Sequence, residues 1–280
     1  MAAITLQQLY SKLLQTLESS ADVRFILQHR LKVRAEDVIL NPDRMIAPEE
    51  AAVCFEDTAA CAGGQPLSRR YGLGHFFGLD FALSPDTLDP RPDSEALILC
   101  AQAYFAEKAP PKAILDLGTG TGCLLITLLT LWPEARGVGV DLSAGALVTA
   151  RDNATKHNVH NRAAFIEGDW LSGVEAEFDL VISNPPYIAR AVIPGLEASV
   201  RAYDPILALD GGEDGLEAYR KIFSGIFRVL RPGGIGLFEI GYDQAESVTR
   251  LSKDYGLYVR GVHLDLAGRP RVVEICCGDK

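Results

Sequence analysis

Residues 113–123 read AILDLGTGTGC. The run opens on apolar residues with a single acid, Asp116, and no polar alternation, as expected of a short strand covered on both faces. Gly118, Gly120 and Gly122 follow at alternate positions, and a helix-length apolar stretch, 121–131, follows them. Strand, glycine turn and helix together make the setting of a nucleotide-binding loop. Glycine lets the backbone turn sharply and approach a ligand with no Cβ between them, while a helix N-terminus offers unpaired N–H groups.

Downstream, the alternation continues. GVGVDL (137–142), AAFIEGD (163–169), FDLVIS (178–183) and GIGLFEIG (234–241) are further short apolar runs, with helical stretches predicted at 143–156 and 215–230. GLYVRGVHLD and RPRVVEICC, at the end of the chain, predict an antiparallel hairpin at a sheet edge. Repeated strand–helix units imply an α/β fold: a doubly wound, mostly parallel, Rossmann-like sheet with helices on both faces, here assigned to residues 93–280. Such a sheet binds ligands beyond the carboxyl ends of its strands, where the strand order switches direction.

Upstream the pattern changes. ITLQQLYSKLLQTL places Ile4, Leu6, Leu9, Leu13, Leu14 and Leu17 largely on one helical face. VRFILQHRL and APEEAAVCFEDTAAC predict further helices, the second entered through Pro48 in its first turn. Residues 1–73 are therefore read as a small helical domain without strands. Two extended stretches, Gly74–Phe77 and Asp80–Leu83, predict a hairpin within a linker spanning 74–92, where Pro85, Pro90 and Pro92 break the chain before the next helix.

Composition excludes several classes. Of 280 residues 48% are hydrophobic and 23% charged, the balance of a soluble globular protein. No apolar run is long enough to span a bilayer, so no membrane partner is expected. MAAITLQQLYSKLLQTLESS lacks the features of a secretory signal, and the expected location is cytoplasmic. The net charge of −10 opposes a large phosphate-tracking surface, which argues against nucleic acid as a direct substrate. Six cysteines without a C-x-x-C pair suggest neither a disulfide framework nor a metal site. His157 and His160 fall at a helix end and the loop after it, where they are expected to be solvated.

The glycine loop does not suit a dinucleotide, because Cys123 stands where the third glycine of G-x-G-x-x-G belongs. Asp116, two residues before Gly118, suits a ligand carrying an ammonium group. S-adenosylmethionine (SAM) has that group and no pyrophosphate. Asp141, ending the second strand, could accept from both ribose hydroxyls. Asp169 could accept from the adenine amino group, with Trp170 packed on the ring. Thr119 and Thr121 complete the candidate loop.

SNPPYI (183–188) ends the fourth strand, which is expected to lie beside the first. Pro185 and Pro186 lack N–H donors and lock φ, so their carbonyls can only accept; Asn184 adds a side-chain oxygen. Two rigid acceptors beside a methyl donor suit a planar –NH₂ substrate. Accepting both hydrogens, on Asn184 Oδ1 and the Pro185 carbonyl, would turn the nitrogen lone pair toward the methyl group. Tyr187 would pack against the planar group. No strong base is needed first, since the alkylated nitrogen is acidic.

GQPLSRRYGLGHFFGLDF, PRPDSE, ILDLGTGTGC, VDLSAGAL, GDW, SNPPYI, DPILALDGGEDGLEAYRKI, LRPGG and DLAGRPRVV together resemble the PrmC/HemK family of class I SAM-dependent methyltransferases, protein-(glutamine-N5) methyltransferases of peptide-chain release factors. The resemblance covers nearly the whole chain. It implies that Gly118 to Gly122, Asp141 and Trp170 contact SAM, and that Asn184 to Tyr187 hold the glutamine of a Gly-Gly-Gln loop in a class 1 release factor. It implies that the helical domain helps recognise that partner; a monomer is expected. His75 stands where the family usually has Glu, Asp89 where it has a more apolar residue, and Asp93-Ser94-Glu95 where it has E-T-E. These departures are expected to tune hairpin packing and a helix N-terminus, with Asp93 or Ser94 as its cap. Arg69 and Arg70 could meet an acidic partner. Glu239, inside an apolar strand, needs a partner and is expected near the cleft.

Two other functions would use parts of the same motifs. A nucleic-acid (adenine N6) methyltransferase would use the same Asn-Pro-Pro-Tyr chemistry but calls for a basic groove and a target-recognition insert, and the chain has neither. A non-catalytic SAM-binding module calls for a damaged acceptor site, yet SNPPYI is intact.

Overall fold

In the computed structural model, which describes residues 3–278, the chain divides into two units, one up to Tyr71 and one from Gly72 onward. The first contains β1 (Ile4–Thr5), α1 (Leu6–Leu17), α2 (Ser20–Leu31), α3 (Asp37–Leu40), β2 (Met45–Ile46), α4 (Pro48–Ala62) and α5 (Leu67–Tyr71). A reciprocal capping box starts α1: Gln8 N–H donates to Thr5 Oγ1 at 3.2 Å and Thr5 N–H to Gln8 Oε1 at 3.0 Å. Leu6, Leu9 and Leu13 of α1 form its core with Val23, Ile26 and Leu27 of α2 and Ala51 and Cys54 of α4. The domain is not purely helical, because β1 and β2 pair antiparallel. A pair two residues long leaves no alternation to detect.

One carboxylate joins three elements of this unit. Asp57 is fully buried and accepts from Arg30 Nε at 2.6 Å, Arg30 Nη2 at 3.0 Å, Arg70 Nε and the Tyr71 hydroxyl. Burial pushes its pKa up, but these donors outweigh burial and hold it at about 2. Arg70, a candidate for an acidic partner, is thus committed within its own unit.

The second unit starts with a hairpin of β3 (Leu73–Phe76) and β4 (Leu79–Ala82), one residue earlier in each strand than the sequence suggested. A 3₁₀ turn over Pro92–Ser94 leads into α6 (Glu95–Phe105), then β5 (Ala113–Leu117), α7 (Cys123–Leu131), β6 (Arg136–Asp141), α8 (Ala144–Lys156), β7 (Ala163–Glu167) and β8 (Phe178–Ser183). There follow α9 (Ala198–Tyr203), α10 (Glu217–Phe223), β9 (Leu230–Glu239), α11 (Ala245–Asp254), β10 (Tyr258–Leu264) and β11 (Pro270–Cys276).

The helix expected over 215–230 is only α10 and a 3₁₀ turn at Ile226–Arg228. Gly225 interrupts it and β9 starts at Leu230, ahead of the expected residue 234. Pro232 is tolerated inside β9 because the β8–β9 register shifts between Phe178 and Leu180.

The seven strands are ordered β10-β11-β9-β8-β5-β6-β7, with β10 and β11 antiparallel at one edge as expected. Neighbouring residues of a strand face opposite cores, which is why the strands read as continuous apolar runs. Ile114, Leu180, Ile182 and Leu237 join one core with α6, α7 and hairpin residues Phe76 and Phe81. Leu115, Leu117, Val181 and Phe238 join the other with α10 and α11. The direction of crossover reverses between β5 and β8, which lie side by side.

Asn153 of α8, fully buried, anchors the hairpin. Its Oδ1 accepts from Ala82 N–H at 2.7 Å, and its Nδ2 donates to Ala82 O at 3.1 Å and to Thr121 O at 3.0 Å. Among the described residues no helix is long and apolar enough to cross a membrane.

Asp57→Ala should lower the unfolding free energy by about 3 kcal/mol, since it leaves two arginines without their acceptor. Because folding lowers this pKa, its contribution is complete above the ordinary value of 3.8 and is lost as pH falls toward about 2. Urea unfolding at neutral pH and across the acid range, wild type against variant, checks both.

Candidate active site

The chain leaves β5 at Leu117 into three glycines with positive φ, Gly118 (70°), Gly120 (53°) and Gly122 (80°). At Gly122, the residue before α7, a Cβ would also meet Ile126 Cδ1 at 2.8 Å. At Gly118 it would stand 3.5 Å from the Trp170 ring. The turn is fastened from below, since Val140 O accepts from Gly118 N–H at 2.8 Å and from Thr119 N–H at 3.0 Å.

Two acids support this loop. Asp116 is fully buried, and its Oδ2 accepts from Thr119 Oγ1 at 2.6 Å. Its Oδ1 is buried and has no hydrogen-bond partner among the described residues. Burial pushes this carboxyl up to about 7; the Thr119 bond opposes the rise and the nearby Asp141 charge adds to it. Asp141 accepts from Gly120 N–H at 2.8 Å through Oδ2 and from Ser143 N–H at 2.9 Å through Oδ1. Burial raises its pKa as well, against those bonds. Each Asp141 oxygen keeps a second lone pair for a ligand hydroxyl.

β8 runs parallel to β5 with Ser183 opposite Leu117, and Ser183 Oγ donates to Leu117 O at 2.7 Å. Asn184 therefore emerges beside the glycine loop. Its Nδ2 donates to Ser94 Oγ at 3.0 Å, and its Oδ1 has no hydrogen-bond donor among the described residues. Beyond it the backbone is held on several sides. Gln244 Nε2 donates to Tyr187 O at 2.9 Å, Ile188 N–H to Leu209 O at 3.1 Å and Gly211 N–H to Ile188 O at 2.8 Å. The Tyr187 hydroxyl points inward and donates to Glu239 Oε1 at 3.3 Å. Burial, and then the Glu239 charge, raise the Tyr187 pKa. Glu239 is 1% exposed at the end of β9. Burial pushes it up to about 7, opposed first by the Ser94 hydroxyl and then by the Arg271 charge.

These segments enclose a cavity of about 460 Å³, within the usual range for a small-molecule site. Of the residues singled out from sequence, Gly118, Thr119, Gly120, Thr121, Asp141, Asp169, Trp170, Asn184 and Pro186 line it. Asp116, Gly122, Pro185 and Tyr187 do not. Asp116 lies beneath the loop, Gly122 shapes its exit, and Tyr187 reaches Glu239. The Asp169 carboxylate stands 3.2 Å from Lys221 Nζ, so a cation shares its position at the rim.

Sequence reasoning missed one wall of this cavity. Arg91, Ser94 and the loop Pro205–Ala208 line it, and Arg91 Nη2 pairs at 2.6 Å with Asp204, whose side chain is 3% exposed. The signal available was PRPDSE together with the apolar DPILAL, whose Ile206 and Leu207 stay exposed. Neither Asp93 nor Ser94 caps α6. Ser94 has helical backbone angles (φ −67°, ψ −14°), so its hydroxyl cannot turn back onto the first turn. It accepts from Asn184 instead, while Asp93 lies 3.0 Å from Arg271 Nη2 and Glu95 Oε1 accepts from Phe77 N–H at 2.9 Å. His157 touches the hairpin, with Nε2 at 2.9 Å from Asp80 O. No cluster of three or more potential metal ligands occurs among the described residues.

The chain leading into α10 is brought close to the Asn-Pro-Pro-Tyr segment at Gly215. Its φ is +76°, and a Cβ there would lie 2.4 Å from Tyr187 O and 2.7 Å from Gln244 Nε2. Gly215→Ala should cost about 2 kcal/mol or more, from the left-handed backbone and the overlap together. Denaturant unfolding measures the loss, and proteolysis within 184–190 should quicken with it.

With this geometry established, known proteins can be compared. Residues 109–263 match the family described as Methyltransferase domain. The chain is 41% identical over 250 residues to the release factor glutamine methyltransferase of Rhodospirillum rubrum, covering 89% of this chain and 76% of that one. It is 43% identical over 258 residues to the protein of that name from Cereibacter sphaeroides, covering 91% and 90%. With the same-named protein of Caulobacter vibrioides it shares 38% over 257 residues, covering 91% and 89%. Among solved structures it is similar in fold to a methyltransferase from Pyrococcus furiosus (TM-score 0.53, 16% identity, 80% of this chain and 99% of that one). It is also similar to the hMettl16 catalytic domain in complex with MAT2A 3′UTR hairpin 1 (TM-score 0.57, 15% identity, 95% and 89%).

Proposed function

Since the chain belongs to the release factor glutamine methyltransferase family, we propose that its cavity takes SAM at the glycine loop and, beside Asn184, the glutamine of a Gly-Gly-Gln loop in a class 1 release factor. The enzyme methylates the side-chain amide nitrogen of that glutamine. One observation carries the assignment of the site: a rigid acceptor, Asn184 Oδ1, stands without a donor on the same cavity wall system as the glycine loop. The acidic chain argues against an extended nucleic-acid path, and the likeness to an RNA-bound domain extends to fold alone.

The residues present fit SAM. The unpartnered Asp116 Oδ1 is an acceptor buried beneath the glycine loop, and three glycines leave the backbone bare above it. Asp141 keeps lone pairs for ribose hydroxyls, and Trp170 supplies an apolar ring. When bound, SAM supplies an electrophilic methyl group.

The protein's own task is to orient an amide that is a poor nucleophile. Asn184 Oδ1 accepts one of the two amide hydrogens, which helps direct the nitrogen lone pair into the cavity and favours positive charge on nitrogen as it reacts; Pro185, expected from sequence as the second acceptor, does not line the cavity. No residue must remove a proton beforehand, because the alkylated nitrogen sheds it readily. The apolar rim of Leu88, Ile206 and Leu207 excludes water around the amide. The first unit, with a core of its own, is assigned to recognition of the release factor. Substrate and enzyme would meet in the cytoplasm.

Mass spectrometry of a class 1 release factor after incubation with enzyme and SAM tests this function. One added methyl group is expected on the Gly-Gly-Gln peptide, and none when that Gln is changed to Ala. Asn184→Ala should lower methyl transfer at least about a hundredfold with SAM affinity nearly unchanged. An unmodified tip beside enzyme shown to bind SAM would overturn the assignment.

The buried acid gives a second test. The Asp116 carboxyl stands at about 7 in the free protein. A ligand ammonium favours its ionised form, so affinity is weak while the acid is protonated and grows as pH rises. SAM affinity measured by calorimetry should rise about tenfold from pH 6 to 7.5, and Asp116→Asn should flatten the dependence.

A further inference from the structure

Three consecutive residues, Asp93, Ser94 and Glu95, send their side chains to three separate parts of the second unit. Glu95 Oε1 accepts from Phe77 N–H, between β3 and β4, at 2.9 Å. Ser94 Oγ stands 3.0 Å from Asn184 Nδ2. Asp93 Oδ2 stands 3.0 Å from Nη2 of Arg271, the second residue of β11. Of the three, only Ser94 meets the acceptor segment, and its freedom to move depends on how its neighbours are held.

Arg271 is a fixed pole. Its side chain is 7% exposed, and a guanidinium can only donate, so the direction of each of its hydrogen bonds is settled. Nη1 donates to Ile240 O, just past the end of β9, at 3.3 Å. Nε and Nη2 donate to Asp265 Oδ2 at 3.4 and 3.3 Å. Asp265 uses its other oxygen to close the β10–β11 turn, accepting from Ala267 N–H at 2.9 Å and Arg269 N–H at 3.0 Å. The guanidinium is thus locked to the sheet edge, with its charge balanced by Asp265, before Asp93 is counted. The Asp93 side chain is 54% exposed, so its pairing with Arg271 adds little to stability. What the pairing does fix is place. Ser94 is the next residue, in the 3₁₀ turn Pro92–Ser94 that its N–H closes onto Arg91 O at 3.0 Å.

We propose that Asp93 and Arg271 are positioning residues: their ion pair pins the Pro92–Ser94 turn to the edge formed by β9 and β11, and the pinned turn holds Ser94 against Asn184. Neither residue touches the reacting atoms. That the group held is the substrate acceptor rests on the proposed function; the holding itself does not.

The test has a substrate-free arm and a kinetic arm. In the first, NMR of asparagine-labelled enzyme follows water exchange of the Asn184 side-chain amide, assigned by its loss in Asn184→Asp. Exchange at least about fivefold faster than wild type is expected in Asp93→Ala, and within about twofold of wild type in Asp93→Glu, which keeps the charge. The Tm of Asp93→Ala should stay within about 3 °C of wild type, as for the loss of one exposed ion pair. Wild-type exchange in Asp93→Ala overturns the proposal. So does faster exchange with a larger fall in Tm, which makes the pair a general prop of the fold.

In the second arm, Asp93→Ala should lower kcat about fivefold while KM for the release factor and the calorimetric Kd for SAM stay within about twofold; Asp93→Glu should restore kcat to within about twofold. Arg271→Met should lower kcat at least as much, and adding Asp93→Ala to it should change kcat by less than about twofold. Unchanged kcat in Asp93→Ala, equal losses in the alanine and glutamate variants, or independent losses in the double variant overturn the proposal. Should Arg271→Met fail to fold, the Asp93 variants decide alone. Should wild type leave the release factor unmodified, the functional assignment fails and the NMR arm still decides whether the pair holds Asn184.

Discussion

The chemistry of this protein depends on one strand pairing. β5 and β8 lie parallel, with Leu117 opposite Ser183, and the Ser183 hydroxyl clamps the pair at its end. Parallel neighbours deliver their next residues to the same edge of a sheet. Gly118 and Asn184 are those residues, distant in sequence and adjacent in space. Antiparallel pairing, or a shift of one residue, would put the acceptor on the opposite edge or turn it into a core. The remainder of the site is arranged around this adjacency: Val140 O and Asp141 hold the glycine loop from the β6 side, and Gln244 and Gly215 hold the Tyr187 backbone from the other.

Much of this was legible because the signals are local. FDLVIS is a strand at the residues expected, and the glycine loop and Asn-Pro-Pro-Tyr each announce a turn through residues that permit little else. Three features were not legible, each for a physical reason. Ser94 was read as a helix cap from its type, yet its backbone is already helical and its partner lies 90 residues away. The Arg91–Asp204 pair spans 113 residues, a separation that leaves no periodicity to follow. The helix over 215–230 was overextended because Gly225 and a 3₁₀ turn preserve apolar spacing without preserving the helix. Glu239 was rightly marked as an acid needing a partner, but sequence could not name Ser94 or Tyr187 as neighbours.

Buried acids divide into two kinds here. Asp57 receives donors from Arg30, Arg70 and Tyr71 and stays ionised, a structural joint. Asp116 and Glu239 are as deeply buried, but each has one oxygen without a donor, and burial carries both up to about 7. Incomplete solvation of this sort is costly in a domain core and concentrates where function compensates for it.

Asn153 gives the hairpin a property that a two-stranded ribbon rarely has. Register in so short a ribbon is weakly specified, since few cross-strand contacts resist a slip. Here both backbone groups of Ala82 are read by one amide that also bonds Thr121 in the glycine loop. Aspartate would set lone pairs against two carbonyls, and an apolar residue would leave three backbone groups unanswered. The side chain thus acts as a gauge: it indexes the ribbon against the loop, so that drift along β3 and β4 can alter their outward faces while the count of residues to Ala82 stays fixed.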